Sequence, residues 1–118
     1  FATGHMVWEA VEAARKLEAE GISVDLINIH TIKPLDTEAI IASIQKTKCA
    51  VTAEEHLRNN GLGDSIAQVA ASHFPIPIEY IAVNDTFGES GKPEELMKKY
   101  GLDAEHIYHA AKKVISRK

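Results

Sequence analysis

The sequence predicts a three-layer α/β/α sandwich, in which helices cover both faces of a mainly parallel sheet. Short runs of β-branched residues alternate with amphipathic helical stripes along the chain. Glycine or proline stands at most boundaries between these runs, where the backbone must turn. The resulting order, β-α-β-α-β-α-β-α-α, allows few topologies because parallel crossovers are right-handed. We therefore expect one domain over residues 1–118.

The first half of the chain is predicted to form two strands and two helices. Residues 1–3 read as the end of the central strand, which runs into a helix over residues 5–20 with an apolar stripe along one face. Residues 24–29 are rich in β-branched and apolar side chains and predict a second strand. Asp36 stands where an N-cap is needed, ahead of a helix over residues 37–47.

The second half continues the alternation. Residues 49–53 predict a third strand, and a polar loop over residues 54–60 leads to a helix that opens at Gly61-Leu62-Gly63. Residues 78–83 predict the fourth strand. Two helices complete the pattern: one begins near Pro93 and ends at Gly101, and the last is capped by Asp103.

The composition excludes several classes of function. The 118 residues carry 17 acidic and 13 basic side chains, whereas a polyanion-binding domain gathers lysine and arginine on one face. No apolar run is long enough to span a bilayer. The single cysteine, Cys49, excludes an internal disulfide and fits a reducing compartment. We expect a cytoplasmic protein that binds neither nucleic acid nor membrane.

Polar side chains follow the carboxyl ends of the predicted strands, the edge at which open α/β sheets bind ligands. They are His5, His30, Glu54, Glu55 and His56. A metal or acid–base site would draw on such residues, but their spacing is that of successive loops and includes no short chelating motif. We interpret them as solvated loop residues, some of which face a partner, and assign no catalytic or metal-binding residue.

Gly61-Leu62-Gly63 at the start of a helix resembles part of a dinucleotide fingerprint. The third glycine position is Ile66, so the G-x-G-x-x-G pattern fails. The two glycines are better explained by a tight turn and a close approach of the helix to the sheet. An anion at this helix N-terminus would also meet Asp64.

Four other polar or reactive residues are interpreted as surface, turn or core residues without a catalytic role. His106 and His109 share a helix face without further ligands nearby, which is typical of solvated surface histidines. Ser90 lies in a glycine-rich turn that does not match a nucleophile elbow. Cys49 at a strand start is expected to be a core residue, because no cationic neighbour is evident that would make it reactive.

Trp8 is the feature that predicts an interaction surface. It lies off the apolar stripe of its helix, and an amphipathic side chain of this size suits an interface. The polar loop after the third strand is expected to lie on the same surface. The predicted interface residues are Trp8, Glu54, Glu55, His56, Arg58, Asn59 and Asn60.

Four ordered segments together resemble the C-terminal domain of transketolases, and the resemblance extends over nearly the whole chain. The segments are ATGH at 2–5, DLINIHTIKPLD at 25–36, TAEEH at 52–56 followed by GLG at 61–63, and FGESG at 87–91. Asn60 departs from the pattern, since the family often has a glycine there. The resemblance implies a transketolase C-terminal-domain-like fold.

The resemblance also implies a function. Transketolases move a two-carbon ketol unit between sugar phosphates with thiamine diphosphate and magnesium, and the family is dimeric. Cofactor and substrate are held by the N-terminal and middle domains or subunits, whereas the C-terminal domain packs against them. We therefore expect a fragment of a longer chain that lacks its first residues, forms part of a homo-oligomer, carries no catalytic or cofactor-binding residue and is inactive alone.

Other assignments are weighed against this one. Deoxyxylulose-phosphate synthases and the β-subunits of 2-oxoacid dehydrogenases share the fold, but their counterpart of residues 31–34 usually reads differently. A free-standing flavodoxin-like module would need a hydroxyl-rich phosphate loop, which residues 3–6 match poorly. A receiver domain would need clustered aspartates at its strand ends, where this chain has Glu54 and Glu55.

Overall fold

The computed structural model describes residues 1–29, 35–57, 61–83 and 102–118, and for residues 55–57 and 83 it describes the backbone alone. The predicted helix after Pro93 and the turn containing Ser90 lie outside these residues, as does His30. No helix in the described ranges is long and apolar enough to cross a membrane.

Four helices and two strands are described, and their bounds agree closely with the predicted ones except at the end of β1. They are α1 Met6–Ala19, α2 Thr37–Thr47, β1 Ala50–Leu57, α3 Leu62–His73, β2 Ile78–Val83 and α4 Ala104–Ser116. The β1 and β2 strands are parallel, in a register that sets Ala50 opposite Ile78 and Ala53 opposite Ile81.

The first three residues lie in the middle of the sheet, as predicted. Ala2 forms parallel bridges with Asn28 on one side and with Ala53 on the other. The Ala2 N–H donates to the Ile27 carbonyl at 3.0 Å, and the Ile29 N–H donates to the Ala2 carbonyl at 2.9 Å. The spatial order is therefore residues 24–29, residues 1–3, β1, β2.

The predicted strand over residues 24–29 is shorter than expected. The only sheet bridge in this segment is the one at Asn28. This bridge joins it to Ala2, whose N–H and carbonyl pair with Ile27 and Ile29. A strand exists only where a partner backbone runs beside it.

The prediction of a polar loop over residues 54–60 is wrong for residues 54–57. The β1 strand continues to Leu57, which lies opposite Val83 after a register irregularity that follows Ala53. The polar side chain of Glu54 suggested a loop. Its carboxylate accepts hydrogen bonds inside the protein, so the residue can lie in a strand.

Alternation along the strands separates two hydrophobic clusters, one on each face of the sheet. The first, against α2 and α3, contains Ile29, Ile40, Ile44, Ala50, Leu62, Ile66, Ala70 and Ile78. The second, against α1 and α4, contains Ala2, Met6, Ala10, Ala13, Ala53, Leu102 and Ile107. Two helix layers with a sheet between them form the predicted α/β/α sandwich.

Capping residues and a glycine that the sequence shows account for three of the helix ends. Asp36 accepts a hydrogen bond from the Ala39 N–H at 3.2 Å, and Asp103 accepts one from the His106 N–H at 2.9 Å. Both are N-cap interactions. Gly21 follows α1 with φ at +85°, a conformation that glycine adopts at little cost.

Candidate functional site

The most enclosed charged side chain that the structure describes is Glu54, whose residue is 1% exposed. It lies in β1 and reaches the N-terminus of α3. Oε1 accepts from the Leu62 N–H at 2.8 Å, and Oε2 accepts from the Gly63 N–H at 2.7 Å. The carboxylate thus satisfies two of the free N–H groups that begin the helix and favours its positive dipole end.

Gly63 is needed for this approach of α3 to the sheet. A Cβ atom at this position would lie 2.6 Å from Cδ1 of Tyr80 and 3.1 Å from Oγ1 of Thr52. The Thr52 hydroxyl is itself buried and has no hydrogen-bond partner in the described part of the chain. The expected close packing of the glycine turn is confirmed at this residue.

The placement of Glu54 corrects its sequence interpretation. It was predicted to be a solvated residue of an interface loop, but it is buried in its own domain, with both oxygens engaged. A carboxylate held this way serves as a helix cap and is not exposed to accept a proton from a substrate. No local capping pattern revealed it, because its partners are eight and nine residues away.

Trp8 lies on the surface, as its position off the apolar stripe of the helix predicts. It is 70% exposed, and among the described residues it is the one exposed large hydrophobic side chain. It lies in the first turn of α1, three residues after the exposed His5 at the carboxyl end of the central strand. The remaining predicted interface residues, Glu55, His56, Arg58, Asn59 and Asn60, have no described side chains.

The surroundings of the other candidates, His106, His109 and Cys49, are typical of structural or surface residues. His106 and His109 are exposed, as predicted, and contact Asp103 and Glu105 on their own helix. Cys49 is half-buried, and burial raises the pKa of its thiol, which disfavours the reactive thiolate. Across the described ranges, no three His, Cys, Asp or Glu side chains come together in a way that would hold a metal.

Surface ion pairs hold α4 in place. Lys112 donates to Glu20, beyond the end of α1, at 2.7 Å, and Tyr108 donates to the same carboxylate. The hydrogen bond from Lys112 is the largest cause that lowers the pKa of Glu20. Arg117 and Lys113 both pair with Glu79 of β2. The lysine and arginine side chains are exposed and Glu79 is half-buried, so each pair contributes little, and all of these charges are engaged within the domain.

Comparison with known proteins identifies the family. The model of the transketolase C-terminal domain matches residues 1–107. The chain belongs to the transketolase C-terminal domain family. Its fold agrees with that of a split-gene transketolase described as an inactive β4 tetramer, with a TM-score of 0.93 and 43% identity over 98% of this chain and 38% of that one.

Curated relatives agree with this assignment. The 6-deoxy-6-sulfo-D-fructose transketolase subunit SqwH of Clostridium sp. is 43% identical over all of this chain and 37% of its own length. A protein of Methanocaldococcus jannaschii named as a putative transketolase C-terminal section is 44% identical over 91% of this chain and 33% of its own length. This transketolase C-terminal domain therefore spans about a third of the relatives it matches.

The resemblance implies thiamine diphosphate as the cofactor of the complete enzyme, and the described residues of this domain do not fit that group. A diphosphate needs free N–H donors and a cation held by carboxylates. The glycine-rich start of α3 is already filled by the Glu54 carboxylate, which would repel it. Metal-ligating side chains are also not clustered in the described ranges.

Glu54→Gln should destabilise the domain by about 2 kcal/mol or more, since a glutamine amide turns one acceptor into a donor that faces an N–H group. Glu54→Ala, which loses both acceptors, should cost at least as much. Urea unfolding followed by circular dichroism measures both changes.

The matched control is Glu18→Gln on the exposed part of α1, which should change stability by less than ~0.5 kcal/mol. Equal effects of the Glu54 and Glu18 variants would show that the capping hydrogen bonds contribute nothing.

Proposed function

We propose that this transketolase C-terminal domain is part of a thiamine-diphosphate-dependent ketol transferase, in which it supports assembly and supplies no catalytic group. The observation that carries the proposal is the match, over 91–100% of this chain, to relatives named as a transketolase subunit and a transketolase C-terminal section. When bound in the complete enzyme, thiamine diphosphate supplies the stabilised carbanion that ketol transfer between sugar phosphates requires, and magnesium holds its diphosphate.

The internal use of Glu54 supports placing the cofactor elsewhere. The N-terminus of α3, where N–H groups could bind an anion, is taken by a side chain of the domain itself. We therefore assign thiamine diphosphate, magnesium and the catalytic residues to the N-terminal and middle domains or subunits of the parent enzyme.

Sequence identity favours a split transketolase over the sister families. The relatives named as transketolase subunit and section are 43% and 44% identical, whereas a 1-deoxy-D-xylulose-5-phosphate synthase of Geobacter sulfurreducens is 36% identical over 109 residues. We propose a role in carbohydrate metabolism of the pentose phosphate type. The single cysteine is compatible with a cytoplasmic enzyme.

The proposed role of the domain is to bind its partners through the surface around Trp8. An exposed tryptophan is costly in water and is typical of the buried centre of an interface. We assign Glu55, His56, Arg58, Asn59 and Asn60 to the same proposed surface, and Glu54 is withdrawn from it because it is buried. The partner is the N-terminal or middle section of the enzyme, or a second copy in a homodimer. The β4 tetramer named for the split-gene relative is compatible with such contacts.

Trp8→Ala in the parent enzyme should weaken assembly at least about tenfold, the loss expected when an interface hot spot is truncated. Sedimentation over a dilution series measures it. Trp8 is the only tryptophan of the chain, so its fluorescence should also shift to shorter wavelength when the remaining sections of the enzyme are added. Glu18→Ala, exposed on the same helix, is the control. Unchanged assembly in the Trp8 variant would place the interface elsewhere.

Isolated residues 1–118 should bind no thiamine diphosphate in calorimetry with magnesium present, whereas the same chain reconstituted with the remaining sections should bind it and transfer ketol units. Tight binding by the isolated chain would refute a purely structural role. Failure of the reconstituted enzyme to bind thiamine diphosphate would refute the family chemistry.

A further inference from the structure

The outer face of α1 carries a line of exposed side chains at spacings of four, three and four residues. They are Trp8, Glu12, Arg15 and Ala19. Residues at such spacings lie on one side of an α-helix. The residues that α1 buries against the sheet lie on its other side, so this line faces outward. We call it the α1 ridge.

The α1 ridge is complementary to itself. Glu12 and Arg15 lie at its centre, Trp8 lies four residues before them, and Ala19 lies four residues after. When a two-fold axis pairs two antiparallel helices, each residue before the centre meets the residue at the same distance after it. Trp8 would therefore lie against Ala19 of the second copy, and Glu12 against Arg15. A large apolar side chain then meets a small one, and each carboxylate meets a guanidinium.

A parallel arrangement of the same two helices lacks this complementarity. In register, it sets Glu12 opposite Glu12 and Arg15 opposite Arg15, and like charges that face each other oppose binding. It also brings the two Trp8 side chains together at one end and the two small Ala19 side chains together at the other. The pattern of the ridge therefore favours the antiparallel pair.

The central charges of the ridge are accessible to a second copy. Nη1 of Arg15 lies 3.3 Å from Oε1 of Glu12 in the same helix, and the two side chains are 74% and 61% exposed. An exposed ion pair of this kind contributes little by itself. Two such pairs brought together form a group of four charges of alternating sign, and a network contributes more than an isolated pair.

Helix α4 lies beside α1 and runs in the same direction. The Ala104 N–H at its start donates to Glu9 at 3.3 Å, and Lys112 near its end donates to Glu20 at 2.7 Å. These two contacts align the helices along their length. The centre of the α1 ridge is therefore level with Ile107 of α4.

The outer face of α4 carries opposite charges that are centred on the same level. Glu105 and His109 are both exposed, lie two residues before and after Ile107, and approach each other to 3.8 Å between Oε1 and Nε2. A two-fold axis that pairs the α1 ridges crosses both helices, so it places Glu105 opposite His109 of the second copy. A histidine ring N–H can donate to a carboxylate. Both helices thus indicate the same register.

We propose that the outer face of α1 and α4 binds a second copy of this domain across a two-fold axis. The two α1 helices are antiparallel, with Trp8 against Ala19 and Glu12 against Arg15 of the second copy. This inference rests on the proposed function, in which the surface around Trp8 binds a partner, and it names that partner.

The size of the contact predicts its strength. Two helices from each copy give an interface at the lower end of the ~1,200–2,000 Å² that stable interfaces bury. We therefore expect the 118-residue chain to pair weakly by itself. The remaining sections of the enzyme should strengthen the pair, because they hold two copies close together.

Charge reversal in the parent enzyme tests the proposed pair. Glu12→Arg makes the centre of the ridge positive and Arg15→Glu makes it negative, so each variant repels its own copy. Each should raise the dissociation constant of the assembly at least about tenfold, as measured by sedimentation over a dilution series. An equimolar mixture of the two variants should regain assembly to within about threefold, because every carboxylate then faces a guanidinium.

The matched control reverses a charge beside the ridge. Glu18→Arg changes an exposed residue of the same helix and leaves the ridge as it is. It should assemble like the unchanged enzyme. Its mixture with Arg15→Glu should give a much weaker rescue, since Glu12 of its copies still faces the new carboxylate. Equal rescue by both mixtures would indicate general charge attraction and would contradict the pair.

The direction of the helices is measured on the 118-residue chain through its single tryptophan. Isotope-labelled chains are mixed with unlabelled chains that carry a nitroxide at Glu18→Cys or at His5→Cys, both in a Cys49→Ser background. In the antiparallel pair, the nitroxide beside Ala19 of one copy should broaden the NMR signal of the Trp8 indole N–H of the other. The nitroxide at the start of α1 should broaden it much less.

Three outcomes would overturn the proposal. The first is that the mixture of Glu12→Arg with Arg15→Glu fails to regain assembly. The second is stronger broadening from the His5→Cys label than from the Glu18→Cys label, which would indicate parallel helices. The third is the absence of broadening from either label.

The same experiments separate this inference from the function on which it rests. If Trp8→Ala weakens assembly but the charge-reversed mixture does not regain it, another section of the enzyme covers this face. The second copy is then excluded and the proposed function stands. If Trp8→Ala leaves assembly unchanged, the surface around Trp8 is wrong for both.

Discussion

The pairing of Ala2 with both of its neighbours is the constraint on which the rest of this domain depends. Ala2 is fully buried and forms parallel bridges with Asn28 on one side and Ala53 on the other. These bridges join residues 24–29 to the pair of β1 and β2. Because α1 begins four residues later, the same pairing decides which face of the sheet the helix covers.

The register set by this pairing carries β1 past the point where a loop was expected and brings Glu54 beneath α3. A carboxylate at this point satisfies two N–H groups of the helix start. Gly63 lets the helix come close enough, since any side chain there would collide with Tyr80. The sheet register, the buried carboxylate of Glu54 and Gly63 therefore depend on one another. The register places the carboxylate below the N–H groups of α3, and the helix can approach it because residue 63 has no side chain.

The described polar groups of these interactions are engaged within the domain itself. Glu54 caps a helix, and the charges of α4 pair with Glu20 and Glu79. Trp8, near the carboxyl end of the central strand, is exposed. The domain spans about a third of the relatives named above, and we propose that it completes a larger enzyme through the surface around this side chain.

The sequence by itself determined the features that depend on near neighbours. Helix α2, the caps Asp36 and Asp103, and strand β2 agree with their predicted positions, because periodicity and capping involve residues within about four positions. The family, too, was recognisable from ordered segments. Only the tertiary structure decided the buried role of Glu54, the length of β1 and the close approach of α3 at Gly63. Each of these depends on backbones that meet in space after long separation in sequence, and no local pattern encodes that meeting.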